Sequence, residues 1–298
     1  MKILCLHPWG TSAEIFEKQI SVVCNLLGET HNYVFLDAPF HVVLQKGPFY
    51  CWYEGLSSAQ VKSAHDFILD TIEEEGPFDG VIGFSQGASL ALSILYHHEV
   101  YQPHQPPPFR FAVFFCSILS ISPDAQFNAD IIKKYSRYFK GLDRLGRHDN
   151  DISSEEEGEN VKAEVEISAL DKTSKIKSAP KRRAKLLLPG QKKAVVNDMR
   201  STIPLAAHKQ WEKRDSHEDF PRVYHPLANK QRISIPTVHA IGWADPFRRQ
   251  SELQARLCNK NLSRVVEFHG GHQVPRNSSD LQAVTFAIDW AIRMAHLQ

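Results

Sequence analysis

A serine between small residues, an aspartate and a histidine, carried on three widely separated segments, are the side chains of this sequence whose types and spacing could do chemistry together. Gly83-Phe84-Ser85-Gln86-Gly87 follows the apolar run Phe78-Asp79-Gly80-Val81-Ile82. It precedes Ala88-Ser89-Leu90-Ala91-Leu92-Ser93-Ile94-Leu95, whose small and aliphatic residues suit a helix buried against a sheet. A strand that ends in a G-x-S-x-G turn opening a helix bends sharply and exposes the serine hydroxyl, so Ser85 is the candidate nucleophile. The pentapeptide by itself is weakly specific; its strand and helix flanks give it weight.

A serine hydroxyl needs a base to take its proton and a third group to orient that base. Two later segments supply them in the order Ser, Asp, His. Gly242-Trp243-Ala244-Asp245-Pro246 follows one apolar run, and His269-Gly270-Gly271-His272-Gln273-Val274-Pro275 follows the next. His272 is preferred to His269 as base because two glycines permit a tight loop that can turn its imidazole toward Ser85. Asp245 is preferred to Asp280 or Asp289, which fall at the start of the last helix or within it. His269 and His272 have ligand-like spacing, but no Cys, Asp or Glu set nearby completes a metal site, and no metal is expected. The oxyanion of an acyl-transfer intermediate would be held by the backbone N–H of Gln86 and by one from His7-Pro8-Trp9-Gly10. Pro8 has no N–H; Trp9 is favoured over Gly10, and His7 is read as a brace for the loop.

The elements that must position these residues are legible around them. Six short apolar runs, 3–6, 33–36, 80–83, 111–115, 237–241 and 265–268, read as strands of a mostly parallel, doubly buried sheet. Helical patterns fall between them. One starts at Ser12, with Ile15, Phe16, Ile20, Val23, Leu26 and Leu27 on its apolar positions and Gly28 at its end; others cover 61–74 and 281–297. This alternation predicts an α/β class, one domain over 1–298 with helices on both faces of the sheet. Residues 142–202 break the pattern: Lys, Arg, Glu, Asp and Ser dominate, and the segment is expected to be a charged, disordered insertion. Its Lys181-Arg182-Arg183-Ala184-Lys185 run is read as solvated charge rather than as an import signal.

The whole chain narrows the class further. It has 298 residues and a formal charge of +1, which selects neither a nucleic-acid partner nor a membrane surface. Cys5, Cys24, Cys51, Cys116 and Cys258 are far apart and lack a C-x-x-C pair, as expected of free thiols in a reducing compartment. With no signal-peptide pattern and no apolar stretch of membrane-spanning length, a soluble cytoplasmic protein without a cofactor is the expectation.

With these residues assembled, the chain resembles the FSH family of small serine hydrolases, an α/β-hydrolase group common in fungi. The resemblance rests on Lys2-Ile3-Leu4-Cys5-Leu6-His7 with Gly10-Thr11-Ser12, on the Gly76 to Ala88 run, on Ile235-Pro236-Thr237 with Gly242 and Asp245, and on Gly270-Gly271-His272 with Val274-Pro275. It implies an α/β-hydrolase fold and a triad of Ser85, Asp245 and His272, in agreement with the residue-level reading. His7-Pro8 departs from the His-Gly common in the family, and no role carries over to the insertion. Family members include carboxylesterases of small esters and hydrolases of fungal polyketide pathways that release acyl chains from a synthase carrier domain. The resemblance thus implies an acyl ester or thioester substrate and a carrier domain as partner. Phe40, Phe49, Tyr50, Trp52 and Tyr53 form an aromatic segment that either lines an acyl groove or packs the edge of the core. Acyl transfer to an alcohol or amine, and a non-catalytic binding protein on a hydrolase scaffold, are the competing readings.

Overall fold

A computed structural model describes residues 1–43, 47–129 and 221–297; the charged segment 142–202 lies outside the described residues. Six strands form the central sheet: β1 (Lys2–Leu6), β2 (Asn32–Leu36), β5 (Gly80–Phe84), β6 (Phe111–Phe115), β7 (Thr237–Gly242) and β8 (Ser263–Phe268). Their order is β2-β1-β5-β6-β7-β8, and each neighbouring pair is parallel. Every residue of β5, β6 and β7 is buried, which explains why these strands read as continuous apolar runs rather than as alternations.

Two layers of helices cover this sheet. Helices α1 (Ala13–Leu27) and α5 (Ser278–His296) lie on one face. They pack Phe16, Ile20 and Val23 and Val284, Ile288 and Ile292 against Ile3, Ile82, Val113 and Val238 of the strands. The opposite face carries α2 (Ser58–Glu75), α3 (Gln86–Tyr101) and α4 (Arg248–Ala255), with Leu4, Val81 and Phe114 beneath Ile68, Leu92 and Leu253. Alternate strand residues feed the two cores, as a pleated sheet requires. The result is the α/β-hydrolase architecture.

Local signals behave as the sequence implies. Ser12 caps α1, its hydroxyl accepting from the Ile15 N–H at 3.3 Å, and Gly28 ends the helix at φ +92°. Two elements lie outside the sequence expectation. A two-stranded antiparallel ribbon, β3 (Phe40–Val42) with β4 (Phe49–Cys51), has strands of three residues, too short for a period to emerge. Helix α4, Arg-Arg-Gln-Ser-Glu-Leu-Gln-Ala, buries Gln250, Ser251 and Gln254 beside Leu253, so its inner face is mostly polar and carries no apolar stripe.

Candidate active site

The turn between β5 and α3 places Ser85 at φ +51°, in the left-handed region that a non-glycine residue occupies at a cost of about 1 kcal/mol or more. Its N–H donates to the Phe115 carbonyl at 2.9 Å, so the strand ladder runs up to the serine itself. Gly87 makes the bend possible: a Cβ there would stand 2.2 Å from the Leu6 carbonyl oxygen, which only a bare backbone can approach. The hydroxyl is thereby delivered to the carboxyl ends of the strands, beside the loops after β1, β7 and β8.

Those loops bring the other two residues to it. His272 Nε2 lies 2.8 Å from Ser85 Oγ, and His272 Nδ1 lies 3.1 and 3.0 Å from the two carboxylate oxygens of Asp245. Because an ionised carboxylate only accepts, the ring proton belongs on Nδ1 and Nε2 is left to accept from the serine hydroxyl. The Asp245 side chain is fully buried, whereas His272 keeps a quarter of its surface exposed. Burial opposes ionisation of Asp245. Hydrogen bonds from His272 and from the Phe247 N–H at 2.7 Å, the nearby imidazole and the Cys116 thiol outweigh it and hold the carboxyl below the usual aspartate range. Gly242 sets the spacing of the two loops, since a Cβ on it would meet the Gly271 carbonyl at 2.2 Å. The rings of Phe84 and Phe247 flank the imidazole at 5.2 and 5.0 Å.

The rejected alternatives sit elsewhere. His269 is exposed, its ring stacked on Trp243 at 6.0 Å and its Nδ1 3.4 Å from Asp280. Asp280 accepts the His269 N–H at the start of α5, and Asp289 pairs with Arg293 along that helix. One group of metal-ligand types is gathered among the described residues: Cys116, Asp245 and His272, whose ligand atoms lie within 4.8 Å of one another. Within it, His272 turns one nitrogen to Asp245 and the other to Ser85.

The loop after β1 is braced by His7, which is fully buried. The Ala38 N–H donates to its Nε2 at 3.0 Å, so Nδ1 carries the proton, which it donates to the Pro8 carbonyl at 2.8 Å. Burial, partly offset by that bond and by Asp37, holds its pKa below the usual histidine value and keeps the imidazole neutral. The Gly10 N–H is already committed to the Tyr50 carbonyl at 2.9 Å. Among the described residues, the N–H groups of Trp9 and Gln86 have no such partner.

The aromatic segment divides. For Trp52 and Tyr53 the structure favours the core-packing alternative: both are buried, Trp52 with no exposed surface, within the core cluster. The Trp52 indole donates to the His7 carbonyl at 2.8 Å, and the Tyr53 hydroxyl lies 3.2 Å from Ser89 Oγ. Phe40, Phe49 and Tyr50 stay half-buried on the ribbon. Phe49 and Tyr50 line a hollow of about 350 Å³ with Ser12, Ile15 and Asp37. Sequence reasoning missed the Gln86 side chain, which accepts from the Trp52 N–H at 2.9 Å and donates to the Tyr53 carbonyl at 2.7 Å, tying the elbow to the ribbon. An amide beside a nucleophile gives no sequence signal of what it will hold.

Comparison with known proteins gives this geometry its context. The profile of the serine hydrolase (FSH1) family matches residues 1–284. The chain belongs to that family. It is similar to "Esterase alnB" of Emericella nidulans, with 33% identity over 307 residues that cover 100% of this chain and 98% of that protein. It is also similar to "Hydrolase FUB4" of Fusarium oxysporum f. sp. lycopersici, with 26% identity covering 94% of each. Among solved structures it is similar to the monoacylglycerol lipase of Paleococcus ferrophilus, with a TM-score of 0.47, 18% identity and coverage of 98% of this chain and 94% of that one. This member of the FSH1 family is thus an enzyme, a hydrolase of the serine esterase type. No helix among its described residues is long and apolar enough to cross a membrane.

Proposed function

We propose that Ser85, His272 and Asp245 form the catalytic triad of an enzyme that cleaves acyl esters or thioesters through an acyl-enzyme. The observation that carries this reading is the continuous contact from Asp245 through His272 to Ser85, at 3.0 and 2.8 Å, on a strained elbow. Ser85 Oγ attacks the acyl carbonyl carbon while its proton passes to His272 Nε2, and the carbonyl becomes an oxyanion. The N–H groups of Gln86 and Trp9 hold that oxyanion, and the Asp245 carboxylate stabilises the imidazolium. As the intermediate collapses, its bond to the leaving oxygen or sulfur breaks and His272 returns the proton to the departing alcohol or thiol. Water, deprotonated by His272, then attacks the Ser85 ester, releasing the acid and restoring the hydroxyl.

On this reading Phe40, Phe49 and Tyr50 flank the acyl chain, because the Tyr50 N–H donates to the Thr11 carbonyl at 2.7 Å and so ties their ribbon to the oxyanion loop. The substrate is an acyl ester, or a thioester on the carrier domain of a synthase in fungal secondary metabolism. The described cysteines form no disulfides, which fits the cytoplasm as its compartment.

The test is intact-mass labelling by a fluorophosphonate in the parent, Ser85→Ala and His272→Ala, followed by turnover of matched acyl esters and thioesters. Labelling that requires both residues is expected. Full labelling of folded Ser85→Ala would overturn the triad, and an unlabelled, inactive but folded parent would favour a binding protein on this scaffold. Product formed on added alcohol or amine in place of the free acid would reassign the reaction as acyl transfer.

A further inference from the structure

Cys116 follows β6, and nothing in the proposed reaction uses it, yet its side chain is buried among the groups that do. Its Sγ lies within 4.8 Å of ligand atoms of both Asp245 and His272. It also lies 3.5 Å from the Gln273 carbonyl and 3.8 Å from the Gly271 carbonyl, the residues on either side of His272 in the chain. The backbone is anchored from the other side, with the Cys116 N–H donating to Ala240 of β7 at 2.9 Å. Cys116 adopts φ +44°, a second non-glycine residue in the left-handed region at a strand end. Such strain persists only where surrounding contacts over-determine it, and it concentrates at functional sites.

We propose that Cys116 is a positioning residue: its thiol packs against the carbonyls on both flanks of His272 and against the Asp245 carboxylate, shares its one proton among these acceptors, and so fixes the imidazole between acid and nucleophile. The inference rests on the triad reading above. The thiol suits the task because it is small, apolar enough for a dry site and a weak donor. Burial first, and then the charge of Asp245, pushes its pKa up to about 12, so across the working range it remains an S–H that can donate. A thiolate there would repel the carboxylate. Without the thiol the loop keeps its backbone bonds, from the Ala244 N–H to the Gly270 carbonyl at 2.8 Å and from the Gln273 N–H to the Gly271 carbonyl at 3.0 Å, but loses the side-chain contact behind the imidazole; displacement of a catalytic group by about 1 Å can lower the rate about a hundredfold.

The experiment compares the parent with Cys116→Ala, Cys116→Ser and the control Cys258→Ala, another buried thiol, which follows α4 with its Sγ 3.9 Å from the Gln254 carbonyl. For each, the rate of fluorophosphonate labelling, kcat and KM on one short ester, and Tm are measured. Cys116→Ala is expected to lower kcat and the labelling rate at least tenfold, with KM within twofold of the parent. Cys116→Ser, which keeps a donor, should recover most of that loss, while Cys258→Ala should lower Tm and leave kcat at the parent value. Parent-like kcat in Cys116→Ala overturns the proposal, as does a Cys116→Ser enzyme no faster than Cys116→Ala. A fall in kcat in Cys258→Ala matching that in Cys116→Ala would also overturn it, by showing a general packing effect. If labelling of the parent does not depend on Ser85, the triad reading fails first, and that result is separate from each of these.

Discussion

The two helical layers that cover the sheet solve different problems. The α1/α5 layer is a clamp of aliphatic and aromatic side chains: Phe16, Ile20, Val23, Val284, Ile288 and Ile292 meet the sheet with no polar partner to satisfy. The α2/α3/α4 layer is threaded with hydrogen bonds. Ser58, Ser89, Ser93 and Ser251 donate to the carbonyls of Ser122, Leu119, Ile121 and Ser117 at 2.9, 3.0, 2.5 and 2.8 Å. The cause is the chain after β6, which runs irregularly through the interior with Leu119 and Ile121 buried. Backbone without a ladder must find partners elsewhere, and the helices above it supply hydroxyls. Apolar packing holds both faces; on the second, directional bonds are added, and they fix the segments that border Ser85.

If that contrast is right, damage to the two layers should separate stability from turnover. The largest loss of stability is expected in the clamp, where Ile288→Ala should cost about 2–5 kcal/mol by urea unfolding while kcat per folded molecule stays at the parent value. On the wired side, Gln86→Leu leaves the buried Trp52 N–H and Tyr53 carbonyl unpaired. It should cost about 2–4 kcal/mol, at about 1–2 kcal/mol for each of the two orphaned groups, and should also lower kcat because the elbow loses its tie to the ribbon. Equal effects of the two variants on kcat would erase the distinction.

The sequence exposed the clamp more fully than the wiring. The six strands, the Ser12 cap and the apolar stripe of α1 follow from short apolar runs and local chemistry, and the proposed triad is read from three loops at strand ends. What stayed hidden is pairing across long separations. Ser89 and Ser93 read as small residues of a buried helix, and nothing local reveals that their hydroxyls meet carbonyls about one strand later in the chain. Whether Trp52 and Tyr53 line a groove or pack the core stayed open, because composition does not state which side of a loop faces inward. Cys116 read as one of five free thiols, since only the folded chain brings it to the histidine loop.

Buried histidines of the wired layer permit a test through pH. Burial pushes His239 down to about 3, and neither of its ring nitrogens has a partner among the described residues. His65, bonded to Ser93, is also lowered to about 3, by burial first and then by His97 and Lys62. From about pH 7.5 upward both are almost wholly neutral whether folded or unfolded, so neither makes stability depend on pH there. Below it the unfolded chain takes up protons that the folded chain refuses, and stability falls until the pH nears the folded values. At pH 5 each histidine should remove about 2 kcal/mol. Urea unfolding at pH 7 and pH 5 should show that drop shrink by about 2 kcal/mol in His239→Leu, and an unchanged drop would mean that His239 does not refuse its proton when folded.

The smallest effect is the most discriminating about how the wiring works. The Ser89 hydroxyl donates to the Leu119 carbonyl at 3.0 Å and stands 3.2 Å from the Tyr53 hydroxyl, which donates to it. Removing the phenol oxygen in Tyr53→Phe takes away one donor and leaves Ser89 still bonded to Leu119, so the expected loss is about 0.5–1 kcal/mol. Removing the serine oxygen in Ser89→Ala leaves a buried carbonyl and a buried phenol each without that partner, and should cost about 1–3 kcal/mol despite deleting a single atom of the same kind. If the two variants, compared by urea unfolding at pH 7, lose equal stability, the bonds contribute pair by pair. If Ser89→Ala loses distinctly more, the carbonyls of the irregular segment are what the layer exists to satisfy, and the tyrosine is an accessory to them.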